Sequence, residues 1–379
     1  MPSDNGLWRA AEKLYAFLLR RHFREELLLG PDYGVRFNFR AWRFLKSALN
    51  FIPWRDDYVF MQTQGYWILV NWLLYERTSE PRYRDVALAT TEAILRLQTR
   101  EGFWAYPLRE RKHLIATVEG CWGALGLLAS HARAPRNEFL EGAIRWYDFL
   151  VSRIGFQTHH RGKAINYFDK PRGKVPNNSM LVLWLFLRLW SETGQEEFLE
   201  HVSGLLEFLA SVQRPSGEFP YVVRSPYEPG REHYLCFQYN SFQFLELAWS
   251  AALGPGKAAR AMLSELAKFL ERGVTSSGAS ARDCRTVGRA WPEVDYYTAV
   301  LAAALTEAGK LGLADRSLGA RCYARLLERQ RPDGSFWYST GDYGLLNDHR
   351  SYPRAQAMTL FHLLCGCDDA GDEGAVDIR

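Results

Sequence analysis

The chain has 379 residues, of which 47% are hydrophobic, 24% charged and 14% aromatic, with a formal net charge of +4. This composition is typical of a globular protein and excludes a chain that is disordered throughout. Residues 1–26 lack the apolar stretch of a secretion signal, and the most apolar run, residues 180–190, contains Arg188 and is too short to span a bilayer. The six cysteines form no CxxC pair. Free thiols in a reducing compartment explain them, so we predict a cytoplasmic protein.

Helical periodicity takes two alternating forms along the chain. The first form has one charged face, and it predicts helices at about 7–28, 80–98, 136–154, 195–212, 256–272 and 314–330. The second form is apolar nearly all round apart from a polar first turn. It predicts helices that begin near residues 62, 117, 177, 238, 294 and 354. A helix that is hydrophobic on every side is buried, so the second set is expected to lie inside the first.

Six amphipathic helices that alternate with six buried helices predict an all-α fold, the (α/α)6 toroid, in which an outer ring surrounds an inner ring. No polar linker divides the chain, so residues 1–367 are expected to form one domain. An open superhelix of helical hairpins is the alternative, but it would leave the second set less buried than its pattern requires. Residues 368–379 are acidic and are predicted to be a disordered tail.

One helix ending occurs three times, as LQTREGFWAY, VQRPSGEFPY and ERQRPDGSFWY. Its glutamines, at positions 98, 213 and 330, are 115 and 117 residues apart, which is the length of two hairpins. A glycine follows each glutamine by four residues, where the chain must turn in a way that would strain other residues. The aromatic residues after the glycine are expected to cover the joint between hairpins. The motif is therefore predicted to be structural.

The pattern Q-x3-G-x-F/W, clearest from Gln330 to Phe336, resembles the repeat of the squalene-cyclase and protein-prenyltransferase superfamily. The same helix ending resembles that of six-hairpin carbohydrate enzymes, among them glycosidases, uronate lyases and epimerases. It also resembles six-hairpin proteins of polysaccharide biosynthesis. The resemblance covers most of the chain as architecture. Because the motif is a joint, it does not select a substrate.

Six long connections lead from an outer to an inner helix, at about 30–61, 99–116, 155–176, 213–237, 273–293 and 331–353. The reverse connections are short, so the long ones are expected to gather at one mouth of the ring, where long connections are usually functional. Segments 30–61, 107–117, 157–176, 220–236, 276–292 and 340–356 contain 20 Lys and Arg against 10 Asp and Glu. This excess, together with the inner-helix N-termini, predicts a mouth that attracts anions.

The first turns of the inner helices supply most of the predicted binding groups. The predicted substrate-binding residues are Gln62, Gln64, Asn177, Asn178, Gln238, Asn240, Arg350, Arg354 and Gln356. Capping of the helix is the alternative role for any single one of them, since Asn and Asp often cap helices. A polar wall with flat aromatic surfaces suits a sugar better than a hydrocarbon.

The predicted ligand is an acidic, uronate-containing saccharide, and the predicted activity is that of a lyase or a C5-epimerase. Such an enzyme neutralises the sugar carboxylate, removes the C5 proton and returns a proton elsewhere. Asn240 and Arg354 are expected to hold the carboxylate. The proton is expected to be removed by one of three histidines and returned by one of two tyrosines: His159, His160 or His233, and Tyr239 or Tyr296.

Three other functions remain open. Glu119 lies on the second hairpin and Asp295 on the fifth, so a closed ring would place them on opposite sides of its cavity, as in an inverting glycoside hydrolase. A terpenoid cyclase or prenyltransferase-like enzyme could hold a diphosphate at a basic mouth, although the D-x-D-D motif of the cyclases is missing. A non-catalytic glycan-binding protein of polysaccharide assembly is the third.

Several partners are not predicted. The chain contains no H-E-x-x-H, no CxxC pair and no glycine-rich phosphate loop, so neither a metal nor a cofactor is expected. The positive charge surrounds an opening instead of forming a stripe, which argues against nucleic-acid binding. Residues 35–54 interleave basic and aromatic residues at helical spacing. They are predicted to form a lid or to cap the core, with contact to a membrane surface as the alternative.

Overall fold

The computed structural model describes residues 4–35, 45–46, 48–49, 51–52, 56–108, 113–254, 256–284, 292–339 and 350–369. Most of segment 35–54 and residues 370–379 of the acidic tail lie outside this range, so the interpretations of both segments stay predictions. Within the described residues, no helix combines the length and the apolar character that crossing a bilayer requires.

Six helices form the inner ring. They are α2 (Met61–Thr78), α4 (Thr117–Arg133), α6 (Pro176–Thr193), α8 (Cys236–Leu253), α10 (Asp295–Lys310) and α12 (Pro353–Cys365). Each packs on its two neighbours in the ring, and α12 packs on α2, so the ring is closed. The burial predicted from their sequences is confirmed; in α6, for example, every residue from 178 to 189 is buried.

Six helices form the outer ring. They are α1 (Asp4–Arg21), α3 (Pro81–Leu97), α5 (Asn137–Phe149), α7 (Val202–Val212), α9 (Gly256–Glu271) and α11 (Arg316–Arg329). Helices α3, α5, α7, α9 and α11 each pack on the inner helix that precedes them, whereas α1 packs on α12 at the other end of the chain. The first and the last of the twelve described helices thus form the sixth inner–outer pair, and the predicted (α/α)6 toroid is confirmed.

Two short hairpins were not predicted from the helical pattern. Helix α1 ends at Arg21 instead of continuing to residue 28, and β1 (Phe23–Arg24) then pairs antiparallel with β2 (Leu27–Leu28). Strands β3 (Phe156–His159) and β4 (Gly162–Ile165) form the second hairpin, and β4 packs on α7. Both hairpins belong to connections on the side of the ring where the inner helices begin.

The repeated glutamine motif is confirmed as a joint between hairpins. The side-chain amide of each glutamine donates one hydrogen bond to the carbonyl of the motif glycine and another to a carbonyl of the next outer helix around the ring. The pairs of acceptors are Gly102 and Gly142 for Gln98, Gly217 and Met262 for Gln213, and Gly334 and Ala10 for Gln330, at 2.8–3.1 Å. Each joint therefore fixes a long connection against two outer helices.

The motif glycine is required for two separate reasons. Gly217 has a φ of 89°, a backbone conformation that residues with a side chain rarely adopt. A Cβ at Gly217 would also lie 2.0 Å from the carbonyl oxygen of Glu265 in the neighbouring outer helix. Gly194, in the turn after α6, has a φ of 69° but nothing within 4 Å of the position of a Cβ. Substitutions at these two glycines can therefore distinguish the cost of backbone strain from the cost of steric overlap.

We expect Gly217→Ala to destabilise the protein more than Gly194→Ala does. The loss of stability in Gly194→Ala comes only from the left-handed backbone conformation and is about 1–2 kcal/mol. Gly217→Ala adds steric overlap with Glu265, at about 1–3 kcal/mol more. Urea unfolding followed by circular dichroism measures both losses. Equal losses for the two variants would contradict the close approach described for the joint.

Candidate functional site at the mouth of the ring

An ion pair between Arg354 and Asp32 lies where the inner helices begin. Arg354 is the second residue of α12, and its Nε and Nη2 lie 2.7 and 2.8 Å from the two carboxylate oxygens of Asp32. The guanidinium carbon lies 4.5 Å from the ring centroids of both Tyr33 and Phe60. The planar cation is thus held by a carboxylate at its edge and by aromatic rings at its faces.

Gln62 connects this pair to a second carboxyl group. Its side-chain oxygen accepts a hydrogen bond from Arg354 Nη1 at 3.3 Å, and its backbone N–H donates to Glu119 Oε2 at 3.1 Å. Glu119 lies in the first turn of α4 and is only 2% exposed. Burial raises the pKa of its carboxyl from 4.5 to about 7, with the nearby charge of Asp32 acting in the same direction and that of Arg354 opposing it. A carboxyl group of this kind can take up and release a proton near neutral pH.

Tyrosines line the mouth around these charges. Tyr33 stacks on Tyr338 with ring centroids 4.7 Å apart, and its hydroxyl is hydrogen-bonded to that of Tyr296. The ring centroid of Tyr239 lies 5.0 Å from that of Tyr221, and the two side chains are hydrogen-bonded to each other. Burial raises the pKa of Tyr239 and of Tyr296 well above the usual range, so both phenols keep their protons at neutral pH. The two predicted tyrosines thus lie at the mouth.

Three predicted binding residues instead clamp the connections. Each side-chain amide accepts a hydrogen bond from the N–H of one loop residue and donates one to the carbonyl of the same residue. Gln64 does so with Leu28, Asn240 with Phe219 and Gln356 with Phe336, at 2.7–3.2 Å. These amides are buried and hydrogen-bonded to backbone, which gives them a structural role; that Asn240 holds a sugar carboxylate stays a prediction.

Three other predicted binding residues each have a buried amide atom without a hydrogen-bond partner. Among the described residues, the buried atoms Asn177 Oδ1, Asn178 Nδ2 and Gln238 Oε1 have no hydrogen-bond partner. Buried polar groups normally have partners, so unpaired ones in first turns that border a mouth fit contacts with a ligand. The nitrogen of the same Gln238 amide donates to the Tyr296 hydroxyl at 3.2 Å. Arg350 donates to the Tyr352 hydroxyl at 2.7 Å, next to Arg354.

Asp295, the second carboxyl of the predicted hydrolase pair, contacts the outer ring. It is fully buried, and it accepts a hydrogen bond from Arg329 of the outer helix α11. Burial raises its pKa to about 7, and the charges that act on it are Arg329 and Glu293. The carboxylate whose charge helps to raise the pKa of Glu119 is that of Asp32. Asp32 was not predicted because it lies in a long connection without a helical pattern. The available signal is its Asp-x-Gly turn, in which its side chain accepts a hydrogen bond from Gly34 N.

The contacts described for the three predicted histidines are with residues other than Glu119. His159 ends β3 and packs edge-on against Phe208 of the outer helix α7, and partial burial lowers its pKa. His160 is exposed in the turn that follows, with a φ of 51°. His233 contacts the carboxylate of Glu218, with its Nδ1 3.0 Å from Oε2. The role of one of these histidines as the base therefore stays a prediction, and the carboxyl group of Glu119 is a second candidate for the base at the mouth.

Comparison with solved structures identifies the same fold in carbohydrate-processing proteins. A polysaccharide lyase superposes with a TM-score of 0.67 at 12% identity, over 96% of this chain and 97% of its own. A cellobiose 2-epimerase from Spirochaeta thermophila gives 0.69 at 14% identity, over 96% and 97%. A possible member of the GH105 family from Salmonella enterica gives 0.69 at 13% identity, over 97% and 95%. No protein-family model and no curated protein matches the sequence.

We expect Glu119→Gln to become more stable relative to wild type as the pH rises. Because the folded pKa is about 7 and the unfolded one near 4.5, the folded wild type holds a proton that the unfolded chain releases between these values. Wild-type stability therefore falls with rising pH across this window, whereas the neutral amide does not titrate. The relative gain should reach roughly 1–3 kcal/mol above about pH 8.

Chemical unfolding at a series of pH values measures this difference. Glu141→Gln changes an exposed glutamate of α5 and serves as the control; its difference from wild type should stay within about 0.5 kcal/mol. A difference between Glu119→Gln and wild type that does not vary with pH would contradict the raised pKa of Glu119.

Proposed function

We propose that this protein is a carbohydrate-active enzyme that removes the C5 proton of a uronate residue, as a lyase or a C5-epimerase does. The observation that carries the proposal is the Glu119 carboxyl, whose pKa is about 7, beside the Arg354 guanidinium at the mouth of the ring. A base of this pKa and a fixed cation are the two groups that abstraction of a proton α to a carboxylate requires.

Each group has one task in the proposed reaction. Ionised Glu119 takes the C5 proton, and the negative charge that develops on the sugar carboxylate is stabilised by Arg354, which Asp32 and the rings of Tyr33 and Phe60 keep in place. In a lyase the electron pair then forms the C4–C5 double bond and expels the oxygen at C4, which a tyrosine protonates. In an epimerase a tyrosine protonates C5 from the opposite face. Tyr296, hydrogen-bonded to Tyr33, and Tyr239 are the candidate donors.

Further observations support an acidic saccharide as the ligand. The mouth segments of the sequence carry twice as many basic as acidic residues, 20 against 10, and a focused positive potential concentrates anions. The inner helices also begin at the mouth, where their free N–H groups favour negative charge. The partnerless amide atoms of Asn177, Asn178 and Gln238 provide hydrogen bonds suited to sugar hydroxyls. The names of the lyase and the epimerase that share the fold agree with this chemistry.

Glycoside hydrolysis is the second candidate, and Asp32 is the observation that favours it. Two carboxyl groups in different surroundings can serve as acid and base, and here Glu119 is buried with a raised pKa while Asp32 is paired with Arg354. Hydrolysis would accordingly use Glu119 as the acid and Asp32 as its partner, in place of the predicted Asp295. The two candidates differ in whether the C5–H bond breaks.

Incubation with uronate oligosaccharides in deuterium oxide distinguishes the candidates. The wild type should form a product with a C4–C5 double bond, or one with deuterium at C5, as read by NMR. Glu119→Gln should lose roughly 10²- to 10⁴-fold of this activity, because the base is removed while the shape is kept. The control is Glu141→Gln, which makes the same change at an exposed glutamate of the outer helix α5 and should retain wild-type activity.

The same experiment contains the results that would overturn the proposal. New reducing ends whose C5 position keeps its original hydrogen would identify hydrolysis, and Asp32→Asn should then abolish them. Full activity of Glu119→Gln would exclude Glu119 as the base. Binding of the oligosaccharide without any product would identify a glycan-binding protein instead of an enzyme.

A further inference from the structure

Four potential metal ligands converge beside the start of α8. Glu218 follows the motif glycine Gly217, His233 and Cys236 flank the beginning of α8, and Cys284 comes from the next long connection. One ligand atom from each of Glu218, His233, Cys236 and Cys284 lies within 4.8 Å of all the others. These residues are separated by 15, 3 and 48 positions, so only the fold brings them together.

The distances between the ligand atoms are those of a small coordination sphere. The two sulfur atoms are 2.9 Å apart, and Cys284 Sγ lies 3.0 Å from His233 Nδ1 and 3.6 Å from Glu218 Oε1. His233 Nδ1 lies 3.0 Å from Glu218 Oε2. Bonds to Zn²⁺ of 2.0–2.3 Å in a tetrahedron place the ligand atoms about 3.3–3.8 Å apart. Small outward movements of the sulfur atoms would thus accommodate the ion.

The surroundings of Glu218 also favour a cation. Its side chain is only 3% exposed, and among the described residues its ion-pair partner is His233, which carries charge only when it is protonated. A buried carboxylate requires a compensating charge, and no arginine or lysine of the described chain forms an ion pair with it. A divalent ion shared with two sulfur atoms and an imidazole would provide this charge.

We propose that Glu218, His233, Cys236 and Cys284 bind one Zn²⁺ ion. Two sulfur ligands, one nitrogen and one oxygen are a set that Zn²⁺ accepts, and four protein ligands leave no open position, which is typical of a structural site. The ion would join the connection that follows α7, the first turn of α8 and the connection that follows α9. His233 Nε2 faces Glu232 at 3.9 Å, where a carboxylate can orient the ring. His233 is thereby a metal ligand and not a base, whether or not the proposed reaction holds.

Metal analysis and cobalt substitution of the wild-type protein test the site directly. Protein purified under reducing conditions without chelator should contain one zinc per chain. After removal of the metal, titration with Co²⁺ should produce thiolate-to-cobalt charge-transfer absorption and tetrahedral ligand-field bands, both lost on addition of one equivalent of Zn²⁺. The metal-free protein should also melt at a lower temperature, because binding to the folded state stabilises it.

Matched variants assign the ligands. Cys284→Ser should lose most of the charge-transfer absorption, and Glu218→Gln should weaken Co²⁺ binding at least tenfold while both sulfur ligands remain. Cys367→Ser changes a partly buried cysteine near the end of α12 and should bind metal as the wild type does. The absence of stoichiometric zinc together with no cobalt spectrum would overturn the proposal. So would a Cys236–Cys284 disulfide in the purified protein, or full metal binding by the Cys236→Ser/Cys284→Ser double variant.

Discussion

Burial of the inner helices is the constraint on which the rest of the structure depends. A helix enclosed on all sides by other helices meets the solvent only at its ends, and in α6 the buried run extends from residue 178 to residue 189. The six inner helices run in the same direction around a closed ring, so six first turns meet at one mouth. Polar side chains, helix N-termini and long connections are therefore concentrated in one place, and this place is the candidate site.

The same constraint explains why the polar first turns divide into two groups. Long connections have backbone groups that need hydrogen-bond partners, and Gln64, Asn240 and Gln356 supply them. The glutamine joints fix the same connections from the outer ring. With the connections held on both sides, Asp32 can keep Arg354 in a single position beside Glu119. Rigid support of this kind is what a binding site needs in order to be preorganised.

The sequence was sufficient for the fold but only in part for the site. Periodicity distinguishes buried from amphipathic helices, and the glutamine–glycine spacing identifies the joints, because both are local patterns. Asn178 has an unpaired amide nitrogen, whereas the amide of Asn240 is hydrogen-bonded to Phe219. No local sequence pattern distinguishes these two residues. Both stand near the start of an inner helix, and what decides their roles is the loop that each one meets. The pairing of Asp32 with Arg354 joins residues 322 positions apart, which no spacing rule in one sequence can indicate.

The most direct test of the account is to determine which class of ligand binds at the mouth. Thermal unfolding of the wild type would be compared in the presence of uronate oligosaccharides, neutral oligosaccharides and prenyl diphosphates, at low and at high salt. A ligand that binds only the folded state raises the melting temperature, and salt weakens contacts that depend on charge. We predict stabilisation by uronate oligosaccharides alone, diminished at high salt. Stabilisation by prenyl diphosphates alone would contradict the account and indicate an isoprenoid ligand in the same fold.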